Sequence, residues 1–262
     1  MSTAVFAALL AVAGVAVGSF LNVLIVRVPS REPVLRPGSR CPLCRSRIQV
    51  RDNIPVLSWI LLRGRCRSCH QPIPVGYPLV ELANAALWAL AGLRFGVSAA
   101  AVAFAVVFSV LLALSVIDLE LSILPDRITL PSVLASLVIL PVLSLTATDD
   151  PGSRILGAVV GGLSYAGFLF VTLIGFELIA KKEGMGFGDV KLAAVLGLWL
   201  GWLSPLLILF ALIAASVLGL VVGIGYFAVR RTSIPFPFGP WLAIGTIVVI
   251  VISRSILAVY SL

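Results

Sequence analysis

Apolar residues fill this chain in long runs, and polar residues gather between them. Eight runs approach or exceed the roughly 20 apolar residues a helix needs to cross a bilayer. They cover roughly residues 3–26, 77–94, 97–117, 128–147, 155–180, 188–203, 205–228 and 238–260. The second and sixth are short, which predicts polar ends or protein neighbours in place of lipid. The first run has no basic start and is followed by basic residues, so it is expected to be a retained anchor and not a cleaved signal. One polar module, residues 28–76, separates the first run from the second. Inside it IPVLSWILL, Ile54 to Leu62, is apolar but too short to span. It predicts a strand, or a helix lying against the membrane face. The other connections are short, and no tandem repeat of useful period is visible. The expected architecture is all-α and polytopic: a first transmembrane helix over 1–27, a cytoplasmic module over 28–76 and a transmembrane helical bundle over 77–262.

Composition agrees. Of 262 residues, 60% are hydrophobic and 11% charged, and the mean hydropathy is +1.15. These values exclude an ordinary soluble domain. The net charge of +8 is unevenly spread, with ten arginines between Arg27 and Arg67. Basic loops stay on the cytoplasmic side, so the module is expected inside. Eight alternating spans then put the loops at Asp118–Arg127, Lys181–Asp189 and Arg230–Arg231 inside, and Asp149–Asp150 outside. Arg94 is the basic exception. The arginines lack interleaved aromatics, which argues against nucleic acid as a partner.

All four cysteines lie in the module, as CPLC (Cys41, Cys44) and CRSC (Cys66, Cys69), with 21 residues between the pairs. Each C-x-x-C knuckle offers two sulfurs, and two knuckles complete a tetrahedral zinc site. Four protein ligands mark a structural site. The module has few apolar residues, so metal binding would supply much of its folding energy. Two rivals are weaker. Cys66 to His70 has the C-x-x-C-H form of covalent haem attachment, but that leaves Cys41 and Cys44 unexplained. Disulfides conflict with a cytoplasmic location. His70, the single histidine, is expected to be a bystander, which also disfavours a Ser-His-Asp triad.

Of eleven acids, six fall in loops or beside lysines. Glu81, Asp118, Glu120, Asp126 and Asp189 remain. Asp118 ends the apolar run FSVLLALSVI, and Asp189 opens the sixth span within GMGFGD. Both should lie just inside the cytoplasmic boundary, and ionisable groups at membrane depth point to function. Two carboxyls about 3 Å apart cannot both ionise easily and share a proton. One then serves as base on water while the other protonates a scissile carbonyl. Gly184, Gly186 and Gly188 would let backbone and substrate approach closely. The bland alternative makes each acid a helix cap. A phosphate loop is disfavoured, since no strand precedes GMGFGD and the G-x-G-x-x-G spacing is absent.

Six segments in order strengthen this picture: GSFLNVLIVRVP, CPLC with CRSC, YPLVELANA, IDLELSILPDRITLP, EGMGFGDVKL and PFGPWLA. Together they resemble the prepilin peptidases, or type IV leader peptidases, over nearly the whole chain. The resemblance implies a polytopic G-x-G-D aspartic protease of the bacterial inner membrane with its active site facing the cytoplasm. It maps the catalytic acids onto Asp118 and Asp189. Asp126 is the second choice for the first of these roles and the better candidate for shaping the site or binding substrate. Such enzymes cut the basic leader from prepilins and pseudopilins after a glycine, and many then methylate the new N-terminus with S-adenosylmethionine. For methylation the resemblance points to Gly64, while Glu81 matches a position that the family also fills with Glu and is expected to have a structural role, with a part in methylation as the alternative. On the residues alone, two other classes compete: a proton-coupled transporter using the acids as a relay, and a zinc-knuckle membrane adaptor without catalysis.

Overall fold

The computed structural model describes residues 1–36, 38–181, 186–230 and 237–260. It forms two compact units, Met1–Ala113 and Leu114–Leu262. Helices α1 (Thr3–Arg27), α2 (Leu57–Leu61), α3 (Gly76–Phe95) and most of α4 (Ala99–Leu121) belong to the first. The end of α4, with α5 (Asp126–Ala147), α6 (Pro151–Ala180), α7 (Phe187–Leu203), α8 (Leu207–Arg230) and α9 (Gly239–Val259), belongs to the second. Each of the eight expected spans coincides with one of the long helices. Among the described residues, six of them (α1, α4, α5, α6, α8 and α9) are long and apolar enough to cross a membrane. The chain is therefore a multi-pass membrane protein. The two that fall short are α3, which carries Glu81 and Arg94, and α7, with 17 residues. These are the two runs whose sequence looked short. The apolar stretch from Ile54 to Leu62 is helical, not extended, and contributes α2.

In the first unit α1 and α3 run antiparallel along a seam of small residues. A Cβ on Gly14 would stand 2.9 Å from the Trp88 side chain, one on Gly18 2.7 Å from the Glu81 backbone, and one on Gly92 2.9 Å from the Ala7 backbone. Without a hydrophobic drive inside lipid, such close backbone approach is a main source of helix association. Buried polar groups pin the seam. Asn84 donates to the Gly14 carbonyl at 2.7 Å, Ser109 of α4 donates to Asn84 Oδ1 at 2.8 Å, and Trp88 Nε1 donates to Ser109 Oγ at 2.7 Å. Because the helices are antiparallel, Arg27 and Gly76, the two ends of the module, leave the hairpin on the same side.

The second unit is built around α7, which packs against α5, α6, α8 and α9. Protein surrounds it, so it need not be long enough to cross lipid by itself. Its partner seam with α6 consists of two G-x-x-x-G pairs, Gly157/Gly161 and Gly197/Gly201, whose backbones nearly touch. On its other flank Trp199 Nε1 and Trp202 Nε1 each donate at 2.8 Å to α5 hydroxyls, those of Ser136 and Ser144. The Arg154 guanidinium donates to the carbonyls of Trp202 and Leu203 at 2.9 and 2.8 Å, which satisfies the carboxyl end of α7. The opposite end of α7, carrying Asp189, is thereby held in a fixed place.

Candidate active site

Asp118 occupies the last turn of α4, and Asp189 the first turn of α7. Both are nearly sealed from solvent, at 5% and 7% exposure. One oxygen of each, Asp118 Oδ2 and Asp189 Oδ1, is buried without a hydrogen-bond partner among the described residues. Those same two oxygens converge on Gly239, the first residue of α9. A Cβ there would lie 2.7 Å from Asp118 Oδ2 and 3.5 Å from Asp189 Oδ1. Three helix ends thus meet, and the missing side chain of Gly239 leaves the room in which the carboxyls face each other. A cap role does not account for this. A carboxylate in the last turn of α4 sits at the unfavourable end of the helix dipole. At α7 the N-cap is Gly186, with no side-chain cap bond. PFGPWLA stood out in the sequence, but nothing in it marked Gly239 as a wall of this site.

The flanking residues have defined places. Gly186 precedes α7, and its carbonyl accepts from the Asp189 N–H at 3.0 Å. Gly188 packs on Leu124, which a Cβ would meet at 2.9 Å, so the loop after α4 lies directly on the start of α7. Gly184 lies outside the described residues. Asp126 does not join the buried pair. It is exposed at the first turn of α5 and forms an ion pair with Lys191 at 2.5 Å. Lys191 also lies over the Phe187 ring, 5.1 Å from its centre. Asp126, Lys191 and Phe187 therefore form a cluster at the amino-terminal ends of α5 and α7. Glu120 is exposed.

The four cysteine sulfurs of the first unit all lie within 4.8 Å of one another, with Cys41 and Cys69 at 3.9 Å. Sulfurs about 2.3 Å from a tetrahedral zinc stand about 3.8 Å apart, so the set fits such an ion. The two knuckles repeat each other. Arg40 pairs with Arg47, and Arg65 with Pro72. Cys41 N–H donates to the Ser46 carbonyl and Cys66 N–H to that of Gln71; Ile48 N–H donates to Ser39 and Ile73 N–H to Gly64. Arg45 and His70 take the same left-handed turn, each at φ 57°. His70 is thus a turn residue outside the sulfur cluster. The repetition escapes a reading of hydropathy because it resides in backbone bonds, with only the cysteines and a few neighbours shared. The four thiols are not alike: the Ser46 hydroxyl, 2.9 Å from Cys44 Sγ, helps pull that thiol down to about 6, and backbone N–H groups at Cys69 and Ser68 lower Cys66, whereas Cys69, although the Gln71 backbone lowers it, is pushed up to about 11 by burial and the neighbouring cysteines. Nearby, the Arg67 guanidinium bonded to Asp52 holds that carboxyl below its ordinary range.

Gly64 and Glu81 are built into different contacts. Gly64, at φ 66°, turns the chain beneath Trp59, whose ring a Cβ would meet at 2.9 Å. Glu81 is buried on α3 and accepts the Val56 N–H at 2.7 Å. Val56 has φ 61° and ψ −53°, and the Leu57 N–H closes back on the Pro55 carbonyl at 2.6 Å. This is a γ-turn of the strained hand, unusual for a β-branched residue. Glu81 therefore ties a strained turn of the module to the helical hairpin.

Residues 12–95 match the bacterial peptidase A24 N-terminal domain, and residues 105–224 match the type IV leader peptidase family. A prepilin leader peptidase/N-methyltransferase of Burkholderia pseudomallei (strain 1026b) is 39% identical over 260 residues, covering 89% of this chain and 81% of the relative. The chain belongs to the type IV leader peptidase family. Relatives of the same description include one from Pseudomonas putida, 39% identical and covering 93% of this chain and 90% of the relative. Another, from Myxococcus xanthus (strain DK1622), is 42% identical over 84% of this chain and 62% of the relative. No solved structure matches. As a type IV leader peptidase, the chain is an enzyme, and both matched segments contain residues singled out above: Glu81 and the cysteines in the first, the two buried aspartates in the second.

Proposed function

We propose that this type IV leader peptidase cuts the basic leader from prepilins or pseudopilins, after a glycine, with Asp118 and Asp189 as its catalytic pair. One observation carries the reading: the two unpartnered carboxyl oxygens of the second unit face the same point beside Gly239. With one carboxyl protonated and the other ionised, a water between them can be activated. The ionised member takes a proton from the water as its oxygen attacks the scissile carbonyl carbon, and the protonated member gives its proton to the carbonyl oxygen. Collapse of the tetrahedral intermediate breaks the C–N bond. The carboxyl that took the water's proton passes it to the departing nitrogen, which becomes the new N-terminal amine, while the other carboxyl takes back a proton from the gem-diol oxygen, so the leader leaves with a new carboxyl terminus. The pair titrates as a unit. A relay through the middle of the bilayer fits less well, because both acids sit in terminal turns of their helices.

The arginine excess of residues 28–76 supports a cytoplasmic location for the module, and by alternation of the spans for the dyad, at the inner membrane. There the basic leader and the apolar helix of a prepilin meet. Asp126, exposed beside Lys191, is assigned to shaping the entrance and meeting substrate, with Gly186 leaving room beside Asp189 and Gly188 letting Leu124 close on the start of α7; the assignment of Gly184 to the same task rests on the sequence motif alone. Cys41, Cys44, Cys66 and Cys69 are assigned to one structural zinc, which closes the module and supplies no chemistry. S-adenosylmethionine would supply an activated methyl group to the new amine. Gly64 and Glu81 serve that second reaction by holding the shape of the module. Incubation with a synthetic prepilin and methyl donor, followed by mass spectrometry of both products, tests the whole reading. Asp118→Asn or Asp189→Asn should lower cleavage by about 10²–10⁴-fold while the protein stays folded in the membrane. Wild-type cleavage by either variant removes that acid from the pair.

A further inference from the structure

The short helix α2 has two unlike faces. Its inner face is anchored: Ser58 is buried, accepting the Ile54 N–H and donating to the Arg51 carbonyl, and Trp59 Nε1 donates to the Ile73 carbonyl at 3.1 Å. Its outer face presents Leu57, Ile60 and Leu61, which are 48%, 58% and 70% exposed. The spacing i, i+3, i+4 places them together. Exposed leucines are expected where the spanning helices meet lipid, but α2 belongs to no span, and an apolar patch on a water-facing module marks an interaction surface.

Charge identifies the occupant. Residues 28–76 hold nine arginines against two acids. One of those acids, Asp52, is engaged by Arg67 at 2.6 and 2.7 Å. Arg51, Arg63 and Arg65 flank the apolar face and are exposed. A basic leader peptide would be repelled here. The antiparallel pairing of α1 and α3 also keeps both ends of the module at one face of the bilayer, so the surface it meets at high effective concentration is lipid.

We infer that α2 and its flanking arginines form an interfacial foot that docks the cysteine module onto anionic phospholipid headgroups. Leu57, Ile60 and Leu61 enter the headgroup boundary, while Arg51, Arg63 and Arg65 hold phosphate-bearing lipids. Docking restrains the module against the membrane and leaves the sulfur cluster unchanged. The inference rests on the membrane architecture and is independent of the assigned peptidase chemistry.

The test is hydrogen exchange of residues 57–65 in the full, zinc-loaded chain. It is placed in nanodiscs of phosphatidylcholine alone or with roughly a third phosphatidylglycerol. Exchange should be at least about fivefold slower in the anionic discs, the factor that about 1 kcal/mol from one arginine supplies. L57S/I60S/L61S should lose the protection. R51Q/R63Q should lose its dependence on phosphatidylglycerol. Retained zinc in both variants shows that the module is folded. Repeating the measurement with Asp118→Asn separates the result from any failure of the peptidase reading. Equal exchange in the two discs would overturn the inference. So would protection that appears only on adding prepilin, which would make this a protein-binding face.

Discussion

A single absent methyl group shapes the candidate site. Gly239 lies so close to Asp118 and Asp189 that any side chain must displace a carboxyl. Gly239→Ala should therefore leave the protein inserted and thermally stable but reduce prepilin cleavage by about 10²-fold, the cost typical of misplacing a catalytic group by about 1 Å. Single-turnover cleavage beside a thermal melt checks both halves of that statement, and unimpaired cleavage would show that the space is not needed. Asp118 and Asp189 were legible in the sequence, because carboxylates at the edges of apolar runs are costly and stand out. Gly239 was not. Its importance depends on where α9 begins in space, and nothing about a glycine before Pro240 announces that. Glu81 gives a similar lesson. The sequence marks it as an acid in an apolar segment, while its partner, a strained backbone N–H at Val56, exists only in the folded chain.

The helices owe their pairing to small residues. Gly161 and Gly197 bring the α6 and α7 backbones to near contact, which fixes the axial position of α7 and with it the depth of Asp189. Gly161→Leu should force the helices apart and destabilise the second unit by at least about 1–3 kcal/mol, the range for overpacking. Unfolding in mild detergent should show the loss, and cleavage should fall with it. An equal melting curve would mean that the seam is not load-sharing. Helix positions were readable from hydropathy because lipid demands long apolar runs with every backbone group bonded internally. The G-x-x-x-G spacing at Gly157/Gly161 and Gly197/Gly201 was also present in the sequence. Which two helices it would join was not, since small-residue faces are alike and only packing assigns partners. The shortness of α7 has the same origin: a helix lodged among α5, α6, α8 and α9 escapes the length requirement that lipid imposes.

At the scale of the molecule, the chain divides between a polar module with four clustered cysteines set in a helical hairpin and a helical unit holding the acid pair. Cys44→Ser should lower zinc from one ion per chain to none and expose residues 28–76 to protease, with metal content read by atomic absorption; retained zinc would reject the site. Strong chelators should have the same effect on the wild type, the outcome expected of a module that folds around its proposed ion. The sequence alone determined the membrane architecture and singled out the sulfur set and the two acids as candidates. Each is local chemistry: apolar length, a C-x-x-C knuckle, or a charge that apolar surroundings make expensive. Tertiary structure alone decided that the two acids meet beside Gly239, that the knuckles repeat one backbone pattern, and that α2 turns three apolar side chains outward. These depend on distances between segments far apart in the chain, and such distances are set by helix packing and turn geometry that no single stretch of residues contains.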